Sequence, residues 1–196
     1  MTPALEAAYA EPHRRYHSRA HIEACLAILA GIEGLSDHER RLLEYAIWWH
    51  DAVYDPSRSD NEAVSARMAK QDLATMGESS TVAAEVARLI LLTKGHTVSP
   101  DDRLGALLVS IDLAVLGGDQ EAYDAYAAGV REEYSFVPES AFRAGRARVM
   151  QAFLDAAEIY PEPTFRARLE ARARANIARE IAALGRADRP GDDGAT

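Results

Sequence analysis

The sequence predicts an all-α protein, a bundle of about eight helices, and three observations carry that fold class. Apolar residues recur at intervals of three and four along most of the chain, the spacing of one buried helix face. Strict apolar–polar alternation nowhere persists long enough to make a strand. The breaks between the periodic stretches hold Gly, Pro, Ser, Asp and Asn, the residues that stop and start helices.

Residues 1–17 show no period, with Pro3, Pro12 and the polar cluster His13, Arg14, Arg15, Tyr16 and His17. From Ser18, an N-cap, His21, Cys25, Ile28 and Ile32 share one face of a first helix that stops at Gly31 or Gly34. Ser36 and Glu39 match a capping box, and Leu43, Ile47, His50 and Tyr54 repeat at helical spacing behind it. Pro56 and Ser57 break that helix; Ser59 to Glu62 reads as another capping box, opening a helix that ends at Met76–Gly77. A fourth helix spans about Ser80 to Thr93, with Gly95 as its stop. Ser99–Pro100 combines an N-cap with proline at the first helical position, and Leu104, Leu107, Leu108, Ile111 and Val115 give the next helix its face, with Asp112 on the edge. Asp119 caps a sixth helix to Tyr134, Pro138–Glu139 opens a seventh to Glu158, and an eighth runs to Leu184–Gly185. Its arginines 166, 168, 172, 174 and 179 are set among alanines with Glu170 and Glu180 between and beside them, which reads as a solvated, ion-paired face.

A chain of 196 residues accommodates one domain, expected over 1–185, with 186–196 a frayed tail lacking any apolar anchor. The net charge of −9 argues against coating extended nucleic acid, which needs a cationic surplus, but permits a small anionic substrate. One cysteine, Cys25, excludes an internal disulfide, and neither a secretory signal nor a membrane span is visible, so a cytoplasmic location is expected. A homo-oligomer is compatible with these features.

The informative residues are polar groups on apolar stripes. His21, the adjacent His50 and Asp51, and Asp112 fall on or beside the stripes of three helices, where burial is costly unless something binds them. If those helices pack together, two imidazoles and two carboxylates converge, and a divalent cation offsets their burial. Such a thiolate-free set suits Mn, Fe, Co, Ni, Zn or Mg. Neighbouring residues on a helix diverge by roughly 100°, so His50 and Asp51 reach one ion only beyond the helix end or flank.

The order His21, His50–Asp51, Asp112 resembles the H…HD…D signature of the HD superfamily of metal-dependent phosphohydrolases, an all-α fold. Further positions resemble one branch of predicted HD phosphohydrolases: Pro12, Arg14, Tyr16, His17 and Ile22; Tyr54 and Asp55; Asn61, Glu62, Ser65 and Ala66; Thr93, Lys94 and His96; Leu113, Leu116 and Gly117. The resemblance covers about residues 9–120. It implies His21, His50, Asp51 and Asp112 as metal ligands and a phosphorylated small molecule, a nucleotide among the candidates, as substrate. The Tyr16–His17–x–x–x–His21 run is also similar to the helix start of cyclic-nucleotide phosphodiesterases, which makes His17 a general-acid candidate. A single divalent ion is expected, with His96 near the substrate.

In that reading Asp51 or Asp112 orients the attacking water, and His17 or Lys94 stabilises or protonates the leaving oxygen. Arg14 is a phosphate-clamp candidate because its planar fork suits phosphate oxygens. Glu62 either faces substrate or completes its capping box; Lys94 and His96 either serve the site or cap a helix C-terminus. Tyr54, Trp48 and Trp49 read as packing, and Asp55 as a helix stop or a support for the site. A di-iron oxygenase and a non-catalytic sensor of a phosphorylated ligand are the alternatives.

Overall fold

A computed structural model describes residues 2–186. Nine α-helices occur among them: α1 (Pro3–Tyr9), α2 (Arg19–Ala30), α3 (Asp37–Trp49), α4 (Asn61–Thr75), α5 (Ser80–Leu92), α6 (Arg103–Asp112), α7 (Gln120–Glu133), α8 (Glu139–Asp155) and α9 (Pro163–Arg186). A 3-10 turn at Leu113–Gly117 follows α6 directly, and no strand occurs among the described residues. The all-α expectation therefore holds. No described helix is long and apolar enough to cross a membrane. Arg186 closes α9, and the rest of the expected tail, 187–196, lies outside the described residues.

Two apolar clusters hold the bundle. The first joins Ile22 and Leu29 of α2, Leu43 and Ile47 of α3, and Val86 and Ile90 of α5. The second joins Val109 of α6, Leu116 of the 3-10 turn, Tyr123 of α7, Met150 of α8 and Ile177 of α9. Helix α6 feeds both, with Leu108 in the first and Val109 in the second, and Leu92 and Phe165 pack against each. α6 ends at Asp112, so one metal-ligand candidate stands where the clusters meet.

Three local expectations are corrected. Residues 3–9 form a helix, because Thr2 accepts from the Leu5 amide, Pro3 pre-sets the first turn, and Leu5 and Tyr9 bury one face. The capping box at Ser59 does not form: Asp60 is the N-cap of α4 without a side-chain bond, and the Ser59 carbonyl accepts from Lys94 Nζ instead (2.7 Å). The N-cap of α6 is Asp102, whose carboxylate accepts from the Gly105 amide, so Pro100 precedes the helix rather than opening it. The boxes at Ser36 and the cap at Asp119 form as expected.

Candidate metal centre and its histidine–glutamate pair

His21 lies in the first turn of α2 and is buried, one helical turn from Cys25. His50 is the residue that ends α3; its Nδ1 lies 2.9 Å from the Ile47 carbonyl. A carbonyl only accepts, so Nδ1 carries the hydrogen and the lone pair of the neutral ring sits on Nε2. That nitrogen is 3.3 Å from His21 Nε2, 3.1 Å from Asp51 Oδ2 and 3.5 Å from Asp112 Oδ1. His21 Nε2 is in turn 3.1 Å from Asp112 Oδ1 and 3.8 Å from Asp51 Oδ2.

Two donors each about 2.1 Å from one ion stand roughly 3.0–3.4 Å apart at ordinary coordination angles. The spacings above fall largely in that range, and donor atoms of His21, His50 and Asp51 all lie within 4.8 Å of one another. The residues therefore fit a divalent ion. Asp112 reaches the same two imidazole nitrogens. Burial disfavours a charge on His50, but Asp51 and Asp112 outweigh it and hold its pKa well above the usual imidazole range. Burial alone would raise the carboxyls; the facing imidazoles, His50 above all, hold Asp51 and Asp112 below the usual carboxylate range instead. The two carboxylates are thus held anionic by the imidazoles that face them. Burial pushes the Cys25 thiol up, so it stays protonated beside His21, 3.8 Å away, rather than serving as a thiolate.

Arg14 departs from its expected role. Its guanidinium is buried and donates to the carbonyls of His17 (3.0 Å), Asp51 (2.7 Å) and Ala52 (3.1 Å), and its Nε to Glu11 (2.9 Å). The fork clamps protein backbone, not phosphate: it ties the segment carrying His17 to the segment carrying Asp51.

His17 stands beside the cluster, its ring centroid 6.3 Å from that of His21. Its Nδ1 is 2.7 Å from Glu133 Oε2, and its ring stacks on Tyr54 at 4.0 Å. Glu133 also accepts from the amides of Arg15, Tyr16 and His17, each at 2.8 Å, and from the Tyr54 hydroxyl at 2.9 Å. Burial would raise this carboxyl, yet His17 and the amides lower it to about 2. Tyr54 is therefore a wall of the His17 site as well as packing. Glu133 was not among the residues expected here, although its signal exists: Tyr123, Tyr126, Val130 and Glu133 follow at three, four and three, which sets a carboxylate on an apolar stripe of α7.

The remaining candidates scatter. His96, in the left-handed region at φ 52°, brings Nε2 to 3.6 Å from Asp112 Oδ2 and rests against Phe153. Lys94 anchors the end of α5 to the Ser59 carbonyl and approaches none of the four ligands by hydrogen bond. Glu62 sits half-buried in the first turn of α4, outside the hydrogen-bonded group. Asp55 accepts from Ser57 and is held by Asn61, so it shapes the turn after the His50–Asp51 pair. A cavity of about 430 Å3 lined by Tyr16, His21, Cys25, Asp112 and Tyr126 adjoins the cluster. The Tyr16 hydroxyl is buried beside it with no hydrogen-bond partner among the described residues.

Comparison with family models, with curated proteins and with solved structures returned no match to this chain. The functional reading accordingly rests on the chain's own residues.

Proposed function

We propose that the chain is a metal-dependent phosphohydrolase of the HD type, cleaving a phosphate ester of a small molecule. The observation that carries the reading is the convergence of His21, His50, Asp51 and Asp112 at coordination spacing, with the His17–Glu133 pair against it. When bound, a divalent ion supplies Lewis acidity toward a phosphoryl oxygen and toward water. One of the two carboxylates, Asp51 or Asp112, would orient the water and accept its proton. Glu133 fixes the ring of His17 through Nδ1 and balances the charge of its doubly protonated form, and His17 Nε2 presents a proton to the leaving oxygen. Arg14 keeps His17 and Asp51 in register from behind.

The test is phosphate release from a panel of small phosphate esters with each divalent metal added back. His50→Ala and Asp51→Ala are expected to lose both bound metal and activity. His17→Ala is expected to keep the metal and lose about 10²- to 10⁴-fold in rate, the usual contribution of a general acid. Activity that survives in both metal-ligand variants defeats the proposal. Metal analysis separates it from the oxygenase alternative, which needs two irons per chain.

A further inference from the structure

Arginines 166, 168, 172, 174 and 179 of α9 do not behave alike. Arg166 pairs with Glu158, Arg174 with Glu170 (2.8 Å) and Arg179 with Asp124 (2.7 Å), as the ion-paired reading expects. Arg168 and Arg172, one helical turn apart, have no carboxylate partner among the described residues, and both line one groove. That groove, about 730 Å3, lies between the end of α2 and the start of α9, with Gly117 and Gly118 at its base. Arg172 is fixed there by its Nε, which donates to the Gly117 carbonyl at 2.5 Å, and its two terminal nitrogens have no hydrogen-bond partner among the described residues. Arg103 joins from α6, already bonded to Glu39 and the Gly34 carbonyl.

Two acids also line the groove. Glu162 accepts from the Phe165 amide (2.8 Å), where it closes the start of α9, and Glu33 is the other opposing charge. Arg103 is matched by Glu39, so Arg168 and Arg172 are the groove's guanidiniums without a carboxylate partner among the described residues, in a chain of net charge −9. Its walls are otherwise apolar, with Ile28, Leu107, Phe165 and Leu169. Planar forks with free donors match phosphate oxygens, apolar walls match a flat organic body, and the volume is that of an ordinary small-molecule site.

We propose that this groove is a second ligand site, separate from the metal cluster, for an organic monophosphate with an apolar or aromatic body of nucleoside size. Such a ligand touches Ile28, seven residues beyond His21 on α2, and Ala114, two beyond Asp112. It therefore bears on two of the segments that carry metal-ligand candidates without occupying the cluster.

The experiment is calorimetric titration of the full chain, stripped of metal with chelator, using AMP as the probe. Adenosine and inorganic phosphate are the controls, and vesicles with and without phosphatidic acid form a separate arm. AMP is expected to bind at one site per chain, with adenosine and phosphate each at least tenfold weaker. The double variant Arg168→Ala/Arg172→Ala is expected to weaken AMP at least tenfold, and Arg168→Glu to do the same while sparing the Arg172–Gly117 bond. Binding to phosphatidate vesicles without binding to AMP, lost in the same variants, assigns the phosphate to a lipid headgroup in the same groove. No binding in either arm, or binding that the arginine variants leave unchanged, overturns the site.

Discussion

At the scale of single residues, the His17–Glu133 pair makes the sharpest pH prediction. The carboxyl of Glu133 is lowered in the folded state from 4.5 to about 2, so its contribution is complete above the unfolded value and disappears as the pH falls through the folded one. The window is pH 4.5 down to 2. A shift of that size corresponds to roughly 3 kcal/mol. Glu133→Gln is expected to lose a comparable amount at pH 7 and to show a flatter decline than the wild type between pH 5 and 3. Urea denaturation at pH 7, 5 and 3 checks it, and parallel declines in the two proteins defeat it. The ligand candidates were legible because a His or Asp on an apolar stripe is visible in one dimension. Glu133 stands on such a stripe too, but its partner lies 116 residues away, and no local pattern joins them. Arg14 was misread because one fork serves phosphate oxygens and backbone carbonyls alike; burial decides between them, and burial follows from packing.

At the scale of elements, α9 seats closely on the 3-10 turn at Gly117. A Cβ on Gly117 would lie 2.6 Å from Leu169 Cβ, 2.9 Å from the Tyr160 hydroxyl and 3.0 Å from the Leu169 carbonyl. Backbone and a buried tyrosine cannot yield cheaply, so Gly117→Ala is expected to cost about 1–3 kcal/mol by overpacking. A midpoint of urea denaturation equal to that of the wild type defeats this. Helix boundaries were legible where one side chain has one use, as at Ser36 and Asp119. They were not where a distant group claims the cap. Ser59 gives its carbonyl to Lys94, and Asp102, which also pairs with Arg88, takes the start of α6 from Ser99. Helix α1, at seven residues, is too short to display a period.

At the scale of the whole molecule, an ion held by the His21, His50, Asp51 and Asp112 cluster would couple to stability. A ligand that binds only the folded state stabilises it by RT ln(1 + [L]/Kd), about 2.7 kcal/mol at a hundredfold excess over Kd. Adding the preferred divalent ion to chelated protein is therefore expected to raise Tm, and His50→Ala to abolish the rise. With His50 holding its proton well above the usual imidazole range in metal-free protein, metal and proton compete for Nε2. The rise in Tm is expected to grow from pH 6 to pH 8. A rise that persists in His50→Ala, or that shrinks with pH, places the ion elsewhere.

The reach of Glu133 also sets an order of assembly on the ribosome. The four ligand candidates are all synthesised by residue 112, whereas the carboxylate that aims His17 follows 21 positions later (133 − 112). At roughly 5–20 residues per second that is an interval of about one to four seconds. During it the nascent chain has all four ligand candidates and not yet the carboxylate that pairs with His17, so under the proposed function capture of an ion is open before the proton donor is held in place.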